Sequence, residues 1–445
     1  MRKLAFSFLL LLGISAAALE RQPNADYHAR REALSRKTNG GVVVLFAPTE
    51  PEGPNALYGF RQDDNFYYLT GWSEPGAAVL IAPAAPPAEG MPTRPYTEIL
   101  FLPAHNLSQE KWTGPKLGPE SPDVPKVTGF DQVEVLDKFR DELVRLLPQS
   151  AAAVFSDLPG HGENTPSSGG LAWLRRANAF GNYVSFQDIK PLLASLRVIK
   201  DAGEIDLIRK ATGASVAAHL SAMRAMKPGI TEREISALMQ YEFGKRGCER
   251  SAYAPIVGSG YNSTVLHYSQ DSATVKSGDL VVLDVGGEYS MYATDITRTL
   301  PANGKFSPRQ REIYDIVWSA QQAAIAVFRA GVSTLGRTTP NSLHKLAYDY
   351  INTHGRDIHG QPLGKYFIHG LGHSVGLNVH DVGLNAALQP GMVFTLEPGI
   401  YLPEESLGVR IEDTFLVGSD GKLVNLSGAL PSTAEAVERT MAGKQ

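Results

Sequence analysis

"LVVLDVGGEYSMYATDITRTL" runs from Leu280 to Leu300. It begins like a buried strand, with four aliphatic residues in succession, and then places Asp284 where another apolar side chain would fit. Asp295 follows in the returning half of the stretch. A carboxylate that is buried without a partner costs several kcal/mol, so the pattern indicates a cation between the two aspartates.

The spacing of the two aspartates fits a hairpin. A turn centred between residues 289 and 290 would place Asp284 directly opposite Asp295, with Cβ atoms about 4.5–5.5 Å apart. A turn within the polar sequence PEESLG would place Glu397 opposite Glu412 in the same way. Opposed like charges destabilise a buried pair of strands unless a cation lies between them, so both hairpins favour metal binding.

The stretch has a counterpart later in the chain. "SGDLVVLDVG" (277–286) and "PGMVFTLEPG" (390–399) share the same order of glycine, leucine, acidic residue and glycine, with the same spacing. A second acidic residue follows each copy. We therefore predict two similar halves that each give two carboxylates to one site. The alternatives are chance similarity between apolar strands and a set of surface acids on half-exposed strands.

Histidines that could complete such a site lie in "HGLGHSVGLNVHD" (369–381). His369 and His373 have the spacing of a zinc-binding H-E-x-x-H helix, but the glutamate is absent and the glycines disfavour a helix. We expect an irregular, glycine-rich strand or loop that brings imidazoles, chiefly His373, to the carboxylates. His380 and, in "TVLHYSQD", His267 are further candidates, although a single histidine is more often a packed or surface residue.

The chain has 445 residues, which predicts two domains. Residues 19–195 alternate between strand and helix patterns, which indicates an α/β domain. In residues 196–445 two predicted helices are followed by strands, and the same order of elements then occurs a second time. Capping boxes at 201–204 and 231–234 start the first two of these helices, and Ser307-Pro308 starts the third.

The remaining predicted elements follow from hydrophobic periodicity. In the N-terminal domain we predict strands at 41–48, 77–83, 97–104 and 151–157 and a helix over 130–148. In the C-terminal domain we predict a fourth helix over 340–352 and strands that continue to about residue 417.

Composition excludes several classes of protein. The chain is 43% hydrophobic and 20% charged with a formal net charge of −4, and it has no block of Lys or Arg, so nothing indicates binding to nucleic acid. Cys248 is the only cysteine, which excludes an internal disulfide and a cysteine-based zinc site. Because no histidine neighbours it, we interpret Cys248 as structural.

The N-terminus has the pattern of a secretory signal peptide. Arg2 and Lys3 precede the apolar run 4–17, and Ala16-Ala17-Ala18 is a cleavage site of the A-x-A type. We therefore predict a signal peptide over residues 1–18 and export to the periplasm or the medium. The alternative is a retained anchor, for which the apolar run is short. No other stretch is long and apolar enough to span a membrane.

The acidic residues and His373 resemble the metal ligands of the pita-bread metallopeptidases in order and context. The matching residues are Asp284, Asp295, His373, Glu397 and Glu412. "DITRTLPANGKFSPRQREIYDIV", "LEPGIY" and "GVRIEDTFLV" are similar to the aminopeptidase P and prolidase branch of this family. Creatinase shares the fold but lacks the metal ligands.

The resemblance extends to the N-terminal domain and implies a fold. "RQDDNFYYLTGWSEPGAAVLI" (61–81) resembles the N-terminal domain of aminopeptidase P. The implied fold is a two-domain α/β protein, with a creatinase/aminopeptidase P-type α/β domain over 19–195. The second domain, 196–445, would be a catalytic pita-bread α+β domain with an internal pseudo-two-fold repeat.

The resemblance also implies a cofactor. Two divalent metal ions, most often Mn²⁺, with Co²⁺ or Zn²⁺ as alternatives, would be bridged by Asp295 and Glu412. Asp284 would complete the shell of one ion, and His373 with Glu397 that of the other. One imidazole with four carboxylates also suits Mn²⁺ by ligand type.

The implied reaction is hydrolysis of an N-terminal Xaa-Pro bond by a water that bridges the two metals. Glu397 would shuttle the proton to the leaving amine. His267 and His380 would hold the substrate and stabilise the charge on the carbonyl oxygen, and His369 would lie near the proline subsite. The residues that would orient Asp284 are Tyr401 and Arg410.

The sequence therefore predicts an exported Xaa-Pro aminopeptidase that acts on peptides with proline second. An Xaa-Pro dipeptidase (prolidase) is the alternative, and a non-catalytic binding protein on the same fold is a third possibility. The resemblance further implies a homo-oligomer, either a dimer or a tetramer. Neither nucleic acid nor a membrane span after signal cleavage is expected.

Overall fold

The structure is a computed structural model that describes most of the chain. The described residues are 19–50, 59–84, 93–147, 153–158, 184–383 and 386–443, with the single positions 170, 172 and 174. The predicted signal peptide, residues 1–18, lies outside them. Within these ranges no helix combines the length and the apolar character needed to cross a membrane.

The N-terminal domain is built on a mixed sheet of six strands in the order β4-β3-β2-β1-β5-β6. The strands are β1 (Val42–Phe46), β2 (Ala78–Pro83), β3 (Tyr96–Leu102), β4 (Gln132–Val135), β5 (Ala153–Ser156) and β6 (Ser185–Asp188). The described helices are α1 (Asn24–Lys37), α2 (Asp64–Thr70), α3 (Leu107–Thr113), α4 (Val124–Thr128), α5 (Phe139–Leu146) and α6 (Lys190–Arg197). The four strands predicted here are confirmed, with ends shifted by a few residues.

The central strand β1 is apolar throughout because both faces of the sheet are covered. Val43 and Leu45 point into one core together with residues of α1 and α2. Val42 and Val44 point into the other core, against Phe139 of α5. This domain thus has three layers.

The predicted helix over 130–148 is wrong in its first part. Residues Gln132–Val135 form the edge strand β4, which pairs in parallel with β3, and α5 starts only at Phe139. The valines at 133 and 135 fit a strand as well as a helix, and pairing with β3 decides between them. Phe139 and Leu143 do have the predicted helical spacing and are buried.

The C-terminal domain contains long helices and short antiparallel strands. Its helices are α7 (Ala202–Ala225), α8 (Glu232–Lys245), α9 (Pro308–Val327), α10 (Leu343–His354) and α11 (Ala434–Met441). Its strands are β7 (Arg250–Ser251), β8 (Ile256–Ser259), β9 (Leu280–Asp284), β10 (Gly287–Tyr289), β11 (Tyr292–Ala293), β12 (Thr297–Pro301), β13 (Val393–Leu396), β14 (Gly399–Leu402), β15 (Leu407–Arg410), β16 (Asp413–Val417) and β17 (Leu423–Asn425). α11 and β17 were not predicted from the sequence.

The helices start where their capping residues predict. Asp201 and Thr231 each form a capping box with the glutamate three residues later, and Ser307 forms one with Gln310. The predicted helix over 340–352 starts later, at Leu343, because the Ser342 side chain accepts a hydrogen bond from the Lys345 N–H.

Two half-sheets of three strands, β12-β9-β8 and β13-β16-β17, form the centre of this domain. Gly278 and Gly391 precede the matching strands and adopt similar positive φ angles, 90° and 86°. The sequence repeat is therefore also a repeat in backbone conformation. The halves meet where the Glu412 N–H donates to the Thr297 carbonyl at 3.1 Å. A single core packs both halves against α7 to α10.

The register of the second hairpin is as predicted, whereas that of the first is not. In β13–β16 and β14–β15 the pairing is the one that sets Glu397 opposite Glu412. In β9–β12, however, Thr297 and not Asp295 faces Asp284. The chain turns one position later than predicted because Ser290 and Met291 both adopt positive φ, 48° and 74°, as a two-residue type I′ turn requires.

The corrected register keeps the two aspartates on one face. Asp295 lies two residues before Thr297, and side chains two apart in a strand point to the same side. Asp295 is therefore a diagonal neighbour of Asp284, which leaves more space between the carboxylates than direct opposition would.

Candidate metal centre

The predicted ligands converge on one cavity of about 300 Å³ in the C-terminal domain. Asp284 lies at the end of β9, and Glu397 directly follows β13, the corresponding strand of the other half. Asp295 precedes β12, and Glu412 precedes β16. The residues that line the cavity are Leu266, His267, Asp284, Asp295, His369, Gly370, Gly372, His373, His380, Glu397, Arg410 and Glu412. Among the site residues predicted from the sequence, Tyr401 alone is not in the lining.

His373 reaches into the carboxylates from a segment that is not helical, as predicted. Its Nε2 lies 3.3 Å from Asp295 Oδ2, 3.4 Å from Glu397 Oε1 and 3.9 Å from Glu412 Oε1. Gly372 allows this approach, because a Cβ there would lie 1.9 Å from the Thr395 carbonyl oxygen. Gly372 thus lets the backbone of this segment lie against β13.

The donor set fits divalent metal ions. Ligand atoms of Asp295, His373 and Glu412 all lie within 4.8 Å of one another. Glu412 Oε2 accepts a hydrogen bond from Thr297 Oγ1 at 2.6 Å, but its Oε1 is buried with no hydrogen-bond partner among the described residues. A buried carboxylate oxygen without a partner is costly, and a cation would satisfy it.

Burial is the largest cause of the pKa shifts of the carboxylates in the site, and repulsion between the carboxylates adds to it. Burial and the Asp284 charge raise the pKa of Asp295, and burial and the Asp295 charge raise that of Glu412 well above its usual value. Burial raises the pKa of Glu397 to about 7. Burial lowers the pKa of His373, but hydrogen bonding to Asp295 and the Glu397 charge outweigh it and raise the value to about 9. Without a metal ion the site therefore retains protons.

These shifts predict that metal binding stabilises the protein more at high pH. The raised folded-state pKa values contribute stability at low pH, which is lost as the pH rises through about 7 for Glu397 and about 9 for His373. A metal ion replaces the protons and removes the repulsion. We expect the rise in Tm on adding Mn²⁺ to the stripped protein to be larger at about pH 8 than at about pH 5.5. An equal rise at both values in thermal unfolding would contradict the assignment.

A buried network holds Asp284 in place. Arg410 donates from Nη2 to Asp284 Oδ2 at 2.5 Å and from Nη1 to Tyr401 Oη at 2.7 Å. Tyr401 Oη lies 2.8 Å from His369 Nε2. The Arg410 charge thus faces the carboxylates, while Tyr401 and His369 continue the network towards the cavity wall.

Tyr253 is a site residue that the sequence did not reveal. Its hydroxyl lies within hydrogen-bond distance of both Asp284 and Asp295. Burial and the charges of these two aspartates raise its pKa well above the usual value, so the hydroxyl remains protonated and donates. Tyr253 follows the two-residue strand β7, and no motif or spacing marks it.

Two histidines lie at the exposed mouth of the cavity. His380 packs edge-on against His373 with ring centroids 4.3 Å apart, and His267 lines the opening. Burial and the neighbouring charges of His373 and His267 lower the pKa of His380. His380 is therefore neutral near neutral pH and can offer one N–H to a ligand.

A buried ion-pair network anchors the segment that carries His380. Asp381 Oδ1 accepts from Arg197 Nη2 at 2.5 Å, and Asp381 Oδ2 accepts from Lys200 Nζ at 3.1 Å. Arg197 also donates to Asn65 Oδ1 of the N-terminal domain at 2.6 Å. This link, which was not predicted from the sequence, connects the mouth of the cavity to both domains.

Cys248 lies apart from this chemistry. It is buried next to Gly247, whose φ of 86° ends α8 as predicted. Burial raises the pKa of the thiol to about 12, which is unsuited to a nucleophile and agrees with a structural role.

Comparison with known proteins identifies both domains. Residues 27–155 match the family model "Aminopeptidase P, N-terminal domain", and residues 206–419 match "Metallopeptidase family M24". The Xaa-Pro aminopeptidase of Escherichia coli (strain K12) is 31% identical over 442 residues, covering 94% of this chain and 97% of that protein. The Xaa-Pro aminopeptidase of Haemophilus influenzae is 32% identical over 456 residues, covering 96% and 99%.

The solved structures agree. The structure of Pseudomonas aeruginosa aminopeptidase PepP matches with a TM-score of 0.82 and 30% identity, covering 95% of this chain and 99% of that one. The comparisons confirm the predicted two-domain fold, including the pita-bread domain, whereas the domain boundaries and the roles of individual site residues stay predictions.

Proposed function

The chain belongs to metallopeptidase family M24 and is a metallo-aminopeptidase of the Xaa-Pro type, and we propose that it works with two divalent metal ions, chiefly Mn²⁺. The observation that carries the proposal is the convergence of four carboxylates and His373 on one cavity. Four ionised carboxylates carry four negative charges, which two divalent ions balance. Oxygen ligands with one imidazole suit Mn²⁺, and Co²⁺ and Zn²⁺ are the alternatives.

The mechanism follows from the positions of the side chains. In our proposal the ions would be held by Asp284, Asp295, His373, Glu397 and Glu412. Ions bound there would supply an activated water as the nucleophile.

The chain's own residues bind the substrate and move the proton. Glu397 would take at its carboxylate the proton that the attacking water loses, and would pass it to the proline nitrogen as the C–N bond breaks. His267 and His380 hold the substrate at the mouth and donate to the scissile carbonyl oxygen. An Xaa-Pro bond has no amide N–H, and the proline ring is rigid. The wall beside His369 therefore has to recognise the shape of the ring, because the scissile nitrogen cannot donate a hydrogen bond.

Paired substrates test the proposed activity. We expect the protein, stripped with a chelator and reloaded with Mn²⁺, to cleave Xaa-Pro-Ala and to cleave the dipeptide Xaa-Pro more slowly. Cleavage of the dipeptide alone would make the protein an Xaa-Pro dipeptidase. Cleavage of neither peptide by a protein that holds metal would overturn the proposal and favour a binding protein.

Asp381 provides a test of the role of His380. Asp381→Asn leaves Arg197 and Lys200 without their buried carboxylate, so we expect the His380 segment to shift and kcat/KM to fall by about tenfold or more. Metal content should be unchanged, because Asp381 does not line the cavity. Asp420→Asn, which removes an exposed partner of Lys422, is the control and should match the wild type. Wild-type activity in Asp381→Asn would contradict this role.

Export is a further proposal, supported by the sequence of residues 1–18. N-terminal sequencing of the protein from fractionated cells should find a mature chain that begins at Leu19 outside the cytoplasm. Full-length protein retained in the cytoplasm would contradict export.

We also propose a dimer or tetramer. The family resemblance supports it, and Trp112 and Leu107 on α3 are 89% and 74% exposed, which leaves apolar surface for a second copy. Light scattering coupled to size-exclusion chromatography should give a mass of two or four chains. A monomer at micromolar concentration would contradict the proposal.

A further inference from the structure

The connection between α9 and α10 carries an arginine to the rim of the metal site. Arg337 Nη2 donates to the Ile368 carbonyl oxygen at 3.0 Å. Ile368 is 52% exposed, and the next residue, His369, lines the cavity. The Arg337 guanidinium therefore lies against the backbone of the residue next to His369, which forms part of the cavity wall.

The charge of Arg337 acts on this side of the domain. Burial lowers the pKa of His344 to about 4, and the Arg337 cation acts in the same direction. The His344 ring packs against Phe367, the residue before Ile368, with ring centroids 5.0 Å apart. Arg337 therefore supplies a positive charge beside the segment that leads into His369.

Arg337 retains donors for a ligand. Its side chain is exposed, and among the described residues it forms no ion pair with a carboxylate, its hydrogen bond going to the Ile368 carbonyl. A guanidinium has five N–H donors, and the Ile368 carbonyl uses one of them. The remaining donors match the two oxygens of a carboxylate, which arginine binds in a bidentate manner.

We propose that Arg337 binds the free C-terminal carboxylate of a short substrate and thereby makes the enzyme prefer tripeptides. The inference rests on the proposed function, in which the proline ring lies beside His369. The residue that follows proline then leaves the cavity past Ile368, where its carboxylate meets the guanidinium. In a longer peptide the carboxylate lies farther along the chain and this contact is lost.

The test compares Xaa-Pro-Ala with its C-terminal amide, which differ only in the carboxylate. We expect the wild-type, Mn²⁺-loaded protein to favour the acid by about tenfold in kcat/KM, mainly through KM. Arg337→Gln should lose this preference and cleave the amide at the wild-type rate within about twofold. Arg337→Lys keeps the positive charge but cannot bind a carboxylate through two parallel hydrogen bonds, so this variant should retain part of the preference for the acid.

Arg329→Gln is the matched control, because Arg329 is an exposed arginine on the same connection but lacks the hydrogen bond to the Ile368 carbonyl that Arg337 makes. It should keep the full preference for the acid. Since the contact is between exposed charges, raising the ionic strength should reduce the preference of the wild type but not alter the rate on the amide.

Two outcomes would overturn the inference and leave the proposed function intact. These are equal cleavage of acid and amide by the wild type, and an undiminished preference for the acid in Arg337→Gln. A loss of activity in Arg337→Gln on the dipeptide Xaa-Pro alone would also overturn it, because the bound carboxylate would then belong to proline itself. If the wild type cleaves neither the acid nor the amide, the proposed function fails together with the inference.

Discussion

Asp295→Asn should remove metal binding and peptidase activity together. Asp295 is buried, and its Oδ2 lies 3.3 Å from His373 Nε2, in the group of ligand atoms that also includes Glu412. Asparagine keeps the shape of the side chain but removes the negative charge and one oxygen ligand. Because bound metal supplies several kcal/mol of transition-state stabilisation, we expect kcat/KM to fall by about a thousandfold or more.

Metal content and activity should be measured on the same preparation, by elemental analysis and by hydrolysis of Xaa-Pro-Ala. Asp271→Asn is the matched control, because Asp271 is also a buried aspartate of this domain but accepts from the Val257 N–H outside the cavity. It should keep both metal and activity. If Asp295→Asn keeps full activity, the ligand assignment is wrong.

The largest loss of stability is expected for Arg298→Met. Arg298 lies on β12 and is fully buried. It donates from Nη2 to Asp413 Oδ1 at 2.7 Å and from Nη1 to the Glu412 carbonyl at 2.7 Å, so it joins the two halves of the domain. Methionine fills a similar length but leaves the buried Asp413 charge without its cation. Breaking one partner of a buried ion pair costs about 3–5 kcal/mol.

Urea unfolding measures this loss against a surface pair. Arg309→Met removes a partly exposed ion pair with Glu405 and should cost less than about 1 kcal/mol. Similar unfolding free energies for the two variants would show that Arg298 does not stabilise the contact between the half-sheets. A further loss of Mn²⁺ affinity in Arg298→Met is expected, because Glu412 lies on the strand segment that Arg298 holds.

The carboxylates of the site could be predicted because they interrupt a strong pattern. An acidic residue at the end of a mainly apolar, buried strand is unfavourable, and this exception occurs both at Asp284 and at Glu397. The regular pairing of antiparallel strands then located Glu412 opposite Glu397, and the structure has this register.

The turn of the first hairpin could not be predicted from its residues. Type I′ turns favour Asn-Gly or Asp-Gly, whereas here Ser290 and Met291 adopt positive φ. Both are buried, so tertiary packing and not local preference selects the turn. The prediction paired Asp284 with Asp295, whereas in the structure Asp284 faces Thr297. The carboxylates nevertheless lie on the predicted face of the strands.

The supporting residues were missed for a different reason. Tyr253, Arg197 and Asp381 contact partners that are distant in sequence, and their own neighbourhoods carry no periodicity or capping signal. Such contacts exist only once the two halves and the N-terminal domain have packed together. A functional residue can be found from the sequence when it departs from the local pattern of its helix or strand. Tyr253, Arg197 and Asp381 show no such departure.

Titration of the stripped protein with Mn²⁺, followed through hydrolysis of Xaa-Pro-Ala, measures how many ions per chain the reaction needs. We expect no cleavage without metal, a rise in cleavage as Mn²⁺ is added, and a maximum at two ions per chain. Full activity in the stripped protein, or no cleavage when two ions are bound, would contradict this expectation.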